Sequence, residues 1–254
     1  MNHKTPLPPS VNYHLWQPCN MKCRGCFARF EDVRLDVLPR GHLPKESALE
    51  LTRILALRFS KVTFAGGEPT LAPWLPDLVA AAKAAGATTM LVTNASRIDR
   101  SYLAAMAGQL DWLALSIDSA MPSTQAALGR ATVRGALPNR HYASAAEVAR
   151  ELGIRVKVNT VVSALNAHED MTRFIEALRP ERWKVLQVLP VEGQNDGEVE
   201  SLLVGRHEFE RFVERHSSLA VSGITVVGED NDSMTGSYAM VDPAGRFFDN
   251  TAGR

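Results

Sequence analysis

The chain has 254 residues, of which 45% are hydrophobic and 22% charged, enough apolar material for a substantial core. Its 28 Lys and Arg residues balance 28 Asp and Glu residues, so we expect no direct binding of nucleic acid through the overall field. No stretch approaches the roughly 18 apolar residues that a membrane helix needs, and Met1–Ser10 has no apolar signal core. We therefore expect no membrane attachment and a cytoplasmic location.

Short apolar or β-branched runs alternate with helical patterns, which is typical of a parallel sheet with crossover helices. Strands are predicted at Val11–Leu15, Val62–Ala65, Thr88–Thr93, Trp112–Ile117, Arg155–Val162 and Trp183–Leu189. Helices are predicted at Lys45–Arg58, Leu75–Ala85, Ser101–Met106, Ala143–Leu152, Glu169–Leu178 and His207–His216. The pattern indicates one α/β domain over residues 1–254, a partial (βα)6 TIM-like barrel.

The C-terminal part of the chain departs from this alternation. A terminal hairpin is predicted from Tyr238–Asp242 and Phe247–Asn250. The barrel core therefore spans about residues 10–190, and residues 191–254 form a C-terminal extension. Three irregular segments are candidate loops near a site: Phe30–Leu43, Gly129–Tyr142 and Gly228–Gly236.

All three cysteines of the chain, Cys19, Cys23 and Cys26, fall within eight residues directly after the first predicted strand. Such crowding indicates that their position is used. The neighbouring Asn20 and Lys22 are polar, which argues against buried structural thiols. A metal site is the better interpretation.

Two kinds of metal site are compatible with three cysteines. A structural zinc site usually has four protein ligands, but His14 and His42 do not stand at a convincing spacing from the cysteines. An iron–sulfur cluster held by three thiolates leaves one iron without a protein ligand. An open metal position is the arrangement by which proteins expose a metal to chemistry.

Polar residues follow the next predicted strands, at the ends where substrates sit in a βα barrel. After the second strand, Gly66 and Gly67 let the backbone approach a ligand closely, and Glu68 supplies a carboxylate for an ammonium group. Later strand ends and loops carry Asn94, Ser116, Asp118 and Arg130.

The fifth and sixth strands place cations where apolar residues are expected. Lys157 and Asn159 share one face of a strand, and so do Arg182 and Lys184. An unpaired cation inside a barrel costs several kcal/mol of desolvation, so we expect an anion to meet them. The predicted anion-binding set is Asn12, Lys61, Lys157, Asn159, Arg182 and Lys184.

The cysteine spacing resembles that of the radical S-adenosylmethionine (SAM) superfamily. A series of motifs resembles, more narrowly, viperin and its prokaryotic relatives: VNYHLWQPCNMKCRGCF, KVTFAGGEPTL, LDWLALSIDS, LGR, VKVNTVVS, RWKVLQVLPVEGQN and SYAMVD. The matches run in order from Val11 to about Asn250, nearly the whole chain.

The resemblance implies a barrel of the radical SAM type and roles for single residues. It implies a 4Fe-4S cluster on the three cysteines, with SAM as the second cofactor. The residues implied to bind SAM are Gly66, Gly67, Glu68, Asn94, Ser116 and Arg130. Gly25 stands where the superfamily usually has an aromatic residue, so we expect Phe27 to pack on the adenine. The anion-binding set is implied to hold a nucleoside triphosphate, with Tyr238 close to its ribose.

The implied reaction converts a nucleoside triphosphate to its 3′-deoxy-3′,4′-didehydro analogue, with an antiviral role against phage. Lys157 or Tyr238 supplies the proton for dehydration. We expect CTP as the substrate, with UTP or GTP as alternatives, and base selectivity in Gly228–Gly236. The implied partner is an electron donor such as flavodoxin or ferredoxin, and we expect a monomer.

Two alternatives remain. Another radical SAM enzyme, such as an activase or a peptide-modifying enzyme, is disfavoured because no cysteine is left for an auxiliary cluster. A non-enzymatic metal module that senses redox state is the alternative from a different class.

Overall fold

The computed structural model describes residues 8–248, and a nine-stranded sheet forms the centre of this part of the chain. The strand order is β7-β6-β5-β4-β3-β2-β1-β8-β9, and all neighbours are parallel except β8 and β9. The strands are β1 Ser10–Trp16, β2 Lys61–Gly66, β3 Thr88–Thr93, β4 Trp112–Ser116, β5 Arg155–Val162, β6 Arg182–Gln187, β7 Thr225–Glu229, β8 Ala239–Val241 and β9 Phe247–Phe248.

Helices follow most of the strands, as expected for crossover connections. They are α1 Lys45–Arg58, α2 Leu75–Ala84, α3 Arg100–Ala104, α4 Pro122–Ala127, α5 Asn139–Glu151, α6 Thr172–Leu178, α7 Arg206–Arg215 and α8 Asn231–Met234. Among residues 8–248, no helix is long and apolar enough to cross a membrane.

Strand alternation divides the sheet into a helix-facing side and a lumen. On β5, Val156 and Val158 are buried in the main hydrophobic core, and Lys157 and Asn159 point to the opposite face. Trp183 on β6 belongs to the core and is fully buried; its indole nitrogen donates a hydrogen bond to Thr160 at 2.8 Å. The polar residues of alternate positions therefore meet in the lumen.

The structure contains the six predicted strands and the six predicted helices, with boundaries shifted by a few residues. The largest shift is at α5, which begins at Asn139, inside the predicted irregular segment Gly129–Tyr142. The irregular segment Phe30–Leu43 contains one short turn of π-helix, Val33–Val37.

The prediction that Gly228–Gly236 is irregular is wrong for most of its length, because Gly228 and Glu229 belong to β7 and Asn231–Met234 forms α8. Gly228 is needed for packing: a Cβ atom there would lie 2.9 Å from Val213 Cγ2 on α7. A strand interior does not favour glycine, which is why β7 was not predicted.

The predicted terminal hairpin is present as β8 and β9, and its residues 249 and 250 lie outside the described range. The sequence did not indicate where this hairpin attaches. It adds β8 alongside β1, with Asn12 opposite Met240, and thereby brings the C-terminal extension next to the strand that leads to the cysteines.

Candidate active site

Four cations lie on the lumen face in the first half of their strands: Lys61, Lys157, Arg182 and Lys184, of which Arg182 is exposed. Lys157 is 9% exposed and has no hydrogen-bond or ion-pair partner among residues 8–248. Burial first, and then the charges of Lys184, Lys61 and Arg182, lower the pKa of Lys157 to about 7. Burial and two of the same neighbours also lower the pKa of Lys61. The cluster is therefore short of negative charge.

A carboxylate that the sequence did not predict lies beside this cluster. Glu229, at the end of β7, pairs with Lys184 through Oε1 at 2.7 Å from Nζ. Tyr238 donates its hydroxyl to Glu229 Oε2, and Lys184 donates to the same hydroxyl. Burial and the Glu229 carboxylate raise the pKa of Tyr238, so its hydroxyl keeps its proton. The signal that could have identified Glu229 was its position two residues after Val227 in an unrecognised strand.

Polar amides lie on the same lumen face. Asn159 pairs in register with Lys184 on one side and with Ser116 on the other. The Asn159 Oδ1 atom is buried without a hydrogen-bond partner among the described residues. Asn12, on β1, is partly buried. The structure therefore places every residue of the predicted anion-binding set on one face of the sheet.

The three thiols lie on the loop after β1 and are partly exposed and free of disulfides. Burial raises the pKa of Cys19 and raises that of Cys23 to about 12, and the other thiols of the loop add to both increases. The backbone N–H of Met21 donates to Cys19 Sγ at 3.4 Å. Without a metal Cys19 and Cys23 are therefore neutral thiols, and a bound cation would favour the thiolates.

The arrangement of the thiols bears on the zinc alternative. Among residues 8–248, no group of three His, Cys, Asp or Glu side chains is arranged to hold a single metal ion. An iron–sulfur cluster is wider than one ion and takes thiolates that stand further apart.

The chain entering the cysteine loop is held by the Gly66-Gly67-Glu68 turn. Glu68 N–H donates to Pro18 O at 2.9 Å. A Cβ atom on Gly66, which has φ +153°, would lie 2.4 Å from Trp16 O, and one on Gly67 would lie 2.1 Å from Gln17 O. The close backbone approach that the glycines permit is thus to the chain's own cysteine loop.

Glu68 is 1% exposed and its carboxylate is extensively hydrogen-bonded. Its Oε1 accepts from Thr70 N–H, Thr70 Oγ1 and Thr93 Oγ1, and its Oε2 accepts from Asn94 N–H at 2.7 Å. Burial raises the pKa of Glu68, and these hydrogen bonds oppose the increase. In this structure the carboxylate fixes the turn, and the Asn94 side chain reaches Asn20 at 2.9 Å and lies 4.0 Å from Cys19 Sγ.

The segment Leu128–Arg130 holds the middle of the cysteine loop. Lys22 N–H donates to Gly129 O at 3.1 Å, and Arg24 N–H donates to Leu128 O at 3.0 Å. Arg130 forms a buried ion pair with Asp118 at 2.5 Å, and Asp118 also accepts from Val161 N–H. The predicted SAM-binding residue Arg130 is therefore already paired within the chain.

We expect Gly129→Ala to destabilise the cysteine loop, because the new Cβ would lie 2.0 Å from Lys22 O. Gly135→Ala, in the same connection, is the matched control, since its φ is also positive and nothing lies within 4 Å. The control should lose about 1 to 3 kcal/mol of unfolding free energy through backbone strain alone. Gly129→Ala should lose more and should bind less iron. Equal losses in thermal melts and in iron content would contradict the proposed support.

Phe27 lies just after the third cysteine and is 37% exposed, so its ring is available for contact with a ligand. Its ring stands edge-on to His14, with centroids 6.0 Å apart, and His14 is also enclosed by Phe30 and Phe248. Burial lowers the pKa of His14 to about 4, so the ring is neutral.

Comparisons with known proteins bear directly on this site. Residues 15–178 match the model of the radical SAM superfamily, and the chain belongs to that superfamily. The solved structure described as native anSMEcpe with bound AdoMet shares the fold, with a TM-score of 0.69 and 16% identity, over 95% of this chain and 74% of that one.

Two curated relatives define the family more narrowly. The S-adenosylmethionine-dependent nucleotide dehydratase of Flammeovirga pacifica is 48% identical over 96% of this chain and 83% of its own length. The protein of the same name from Lacinutrix mariniflava is 47% identical over 96% of this chain and 51% of its own length. The chain belongs to this viperin-like family of nucleotide dehydratases.

Proposed function

We propose that this chain uses SAM to dehydrate the ribose of a nucleoside triphosphate to the 3′-deoxy-3′,4′-didehydro form, in defence against phage. The observation that carries the proposal is the partnerless Lys157 within the lumen cluster of Lys61, Lys157, Arg182 and Lys184. A buried cation without a counter-ion is costly, and a polyphosphate is the ligand that compensates several such charges together.

The cysteine loop fits a 4Fe-4S cluster. Its donor set is three free thiols on one loop, with Cys19 and Cys26 both close enough to Cys23 to raise its pKa, and such a set leaves one iron for SAM. When bound, the cluster supplies the electron that cleaves SAM to methionine and the 5′-deoxyadenosyl radical that removes the ribose 4′ hydrogen. We expect the partly exposed Phe27 to pack on the adenine of SAM. Asn94, close to Cys19, and Ser116, at the end of β4, are expected to supply polar groups to SAM.

The lumen residues bind and orient the substrate. Lys157 and Arg182 are register neighbours near the start of their strands, whereas the cysteine loop follows the carboxyl end of β1, so we assign them to the phosphates. Tyr238 reaches Lys184 and Glu229 nearer the carboxyl ends of the strands, so it is the better-placed proton donor for loss of the 3′ hydroxyl as water. The neighbouring Lys184 ammonium would stabilise the phenolate formed. The second electron comes from a carrier such as flavodoxin or ferredoxin.

We expect the segment after β7 to contact the nucleobase and determine which base is accepted. Asn231 at the start of α8 donates its N–H to Gln187 at 3.0 Å. Its side-chain Oδ1 is buried without a hydrogen-bond partner among the described residues, so it is free to accept from a base. An acceptor there suits an exocyclic amine, which cytosine and guanine carry and uracil lacks, so CTP stays the expected substrate and GTP is the nearer alternative.

The test is to incubate the reduced, iron-loaded enzyme with SAM and, separately, CTP, UTP or GTP, and to weigh the nucleotide products. We expect 5′-deoxyadenosine together with a nucleotide that is lighter than CTP by one water. A product from UTP or GTP instead would change the base assignment. Deoxyadenosine without a dehydrated product from any triphosphate would contradict the proposed function.

A further inference from the structure

Glu229 places a negative charge inside a lumen that otherwise collects cations. Its side chain is 22% exposed and stands on the lumen face of β7. A carboxylate repels phosphate, so the polyphosphate cannot extend past it without loss of affinity. Glu229 therefore marks the place at which the phosphate-binding part of the lumen ends.

The strand register shows what comes next along the lumen. Arg182 lies opposite Lys157 on one side and Thr225 on the other, and Glu229 lies opposite Leu186. Glu229 is thus four residues further along the strands than the Arg182 level, roughly 13 Å. The cysteine loop follows the carboxyl end of β1, at the same end of the sheet as Glu229. A nucleotide whose phosphates bind at Arg182 and whose sugar faces the cysteine loop has its ribose near Glu229.

The hydrogen bonds of Glu229 leave it able to accept more. Each carboxylate oxygen accepts one hydrogen bond from a neighbour, Oε1 from Lys184 and Oε2 from Tyr238. A carboxylate offers about four acceptor positions, so further positions are open to a donor from the ligand. Ribose hydroxyls are such donors, and carboxylates bind the ribose 2′ hydroxyl in other nucleotide sites.

The chemistry separates the two ribose hydroxyls. The 3′ hydroxyl must be protonated and leave as water in the proposed reaction, and a hydrogen-bond acceptor beside it would oppose this step. Tyr238, whose hydroxyl keeps its proton, is the donor that the 3′ hydroxyl needs. We propose that Glu229 accepts a hydrogen bond from the 2′ hydroxyl and so selects ribonucleotides over 2′-deoxyribonucleotides. This inference rests on the proposed function and deepens it.

The test uses the cluster-free protein and calorimetry, so it does not depend on turnover. The probes are CTP, 2′-deoxy-CTP, 3′-deoxy-CTP and inorganic tripolyphosphate. In the wild type we expect CTP to bind about tenfold or more tightly than 2′-deoxy-CTP, as a hydrogen bond to a charged group implies. Glu229→Ala should reduce this ratio to about one, and Glu229→Gln should leave a smaller preference. Glu210→Gln, an exposed carboxylate on α7, is the control and should leave the ratio unchanged.

Binding of tripolyphosphate distinguishes a failure of the Glu229 assignment from a failure of the proposed function. Its affinity should stay equal or rise in Glu229→Ala, because Lys184 loses a competing carboxylate. Two results would overturn the assignment of Glu229 and leave the phosphate site in place. In the first, Glu229→Ala still prefers CTP to 2′-deoxy-CTP. In the second, Glu229→Ala loses a preference for CTP over 3′-deoxy-CTP instead. Failure of the wild type to bind both tripolyphosphate and CTP would overturn the proposed function itself.

Discussion

We expect serine in place of Cys19, Cys23 or Cys26 to abolish iron binding and the ability to cleave SAM. All three thiols of the chain lie on this loop, so no other cysteine can take the place of a lost ligand. We expect each variant, after anaerobic reconstitution, to lack the broad visible absorbance of an iron–sulfur cluster and to form no 5′-deoxyadenosine.

The effect on the cysteine variants is separable from a general loss of structure. The three side chains are partly exposed and on a loop, so the cluster-free variants should melt close to the cluster-free wild type. A variant that retained iron and deoxyadenosine formation would contradict the ligand assignment. A colourless wild type that binds zinc in place of iron would revive the zinc alternative.

Replacing Lys157 with methionine should weaken triphosphate binding and stabilise the free protein. Burial, before the neighbouring cations, lowers the pKa of Lys157 to about 7. Between pH 7 and the usual lysine pKa the unfolded chain binds the extra proton, so stability of the free wild type rises with pH in that window. Lys157→Met removes this dependence and should raise the melting temperature at and below pH 7. The lost charge should cost about 1 to 3 kcal/mol of tripolyphosphate and nucleotide affinity.

Calorimetry of the cluster-free protein measures the change in nucleotide affinity, and thermal melts measure the change in stability. Above pH 7 the wild type should also take up a proton when it binds the nucleotide, which appears as a dependence of the binding enthalpy on the buffer. Lys45→Met is the matched control, because Lys45 pairs with Asp77 on the surface. Unchanged nucleotide affinity in Lys157→Met would remove Lys157 from the site.

The strands that carry the cations could be predicted because alternation is a local property. Lys157 and Asn159 interrupt an otherwise β-branched run at every second position, and this pattern alone puts them on one face. Trp183, which stands between Arg182 and Lys184, points to the opposite face and is buried in the core. Contacts along a strand need no knowledge of distant segments.

The features that the sequence did not predict depend on contacts between segments that are distant along the chain. Gly228 reads as a loop residue until Val213 of α7 is seen packed against it, so β7 and Glu229 escaped prediction. The ion pair of Arg130 with Asp118 could not be predicted from the sequence either. The same is true of the close contact between the Gly66-Gly67 turn and the cysteine loop. The roles of these residues toward SAM stay predictions.

The attachment of β8 to β1 affects what can be removed from the chain. β8 covers the backbone edge of β1 through a parallel ladder from Val11 to Tyr13. Truncation before Tyr238 would leave the hydrogen-bonding groups of that edge unpaired, and an uncovered strand edge is a template for self-association. The C-terminal hairpin thus protects the strand preceding the cysteines from aggregation, and the chain leading into it also positions Tyr238. We expect versions of the protein shortened before Tyr238 to aggregate before any loss of activity can be measured.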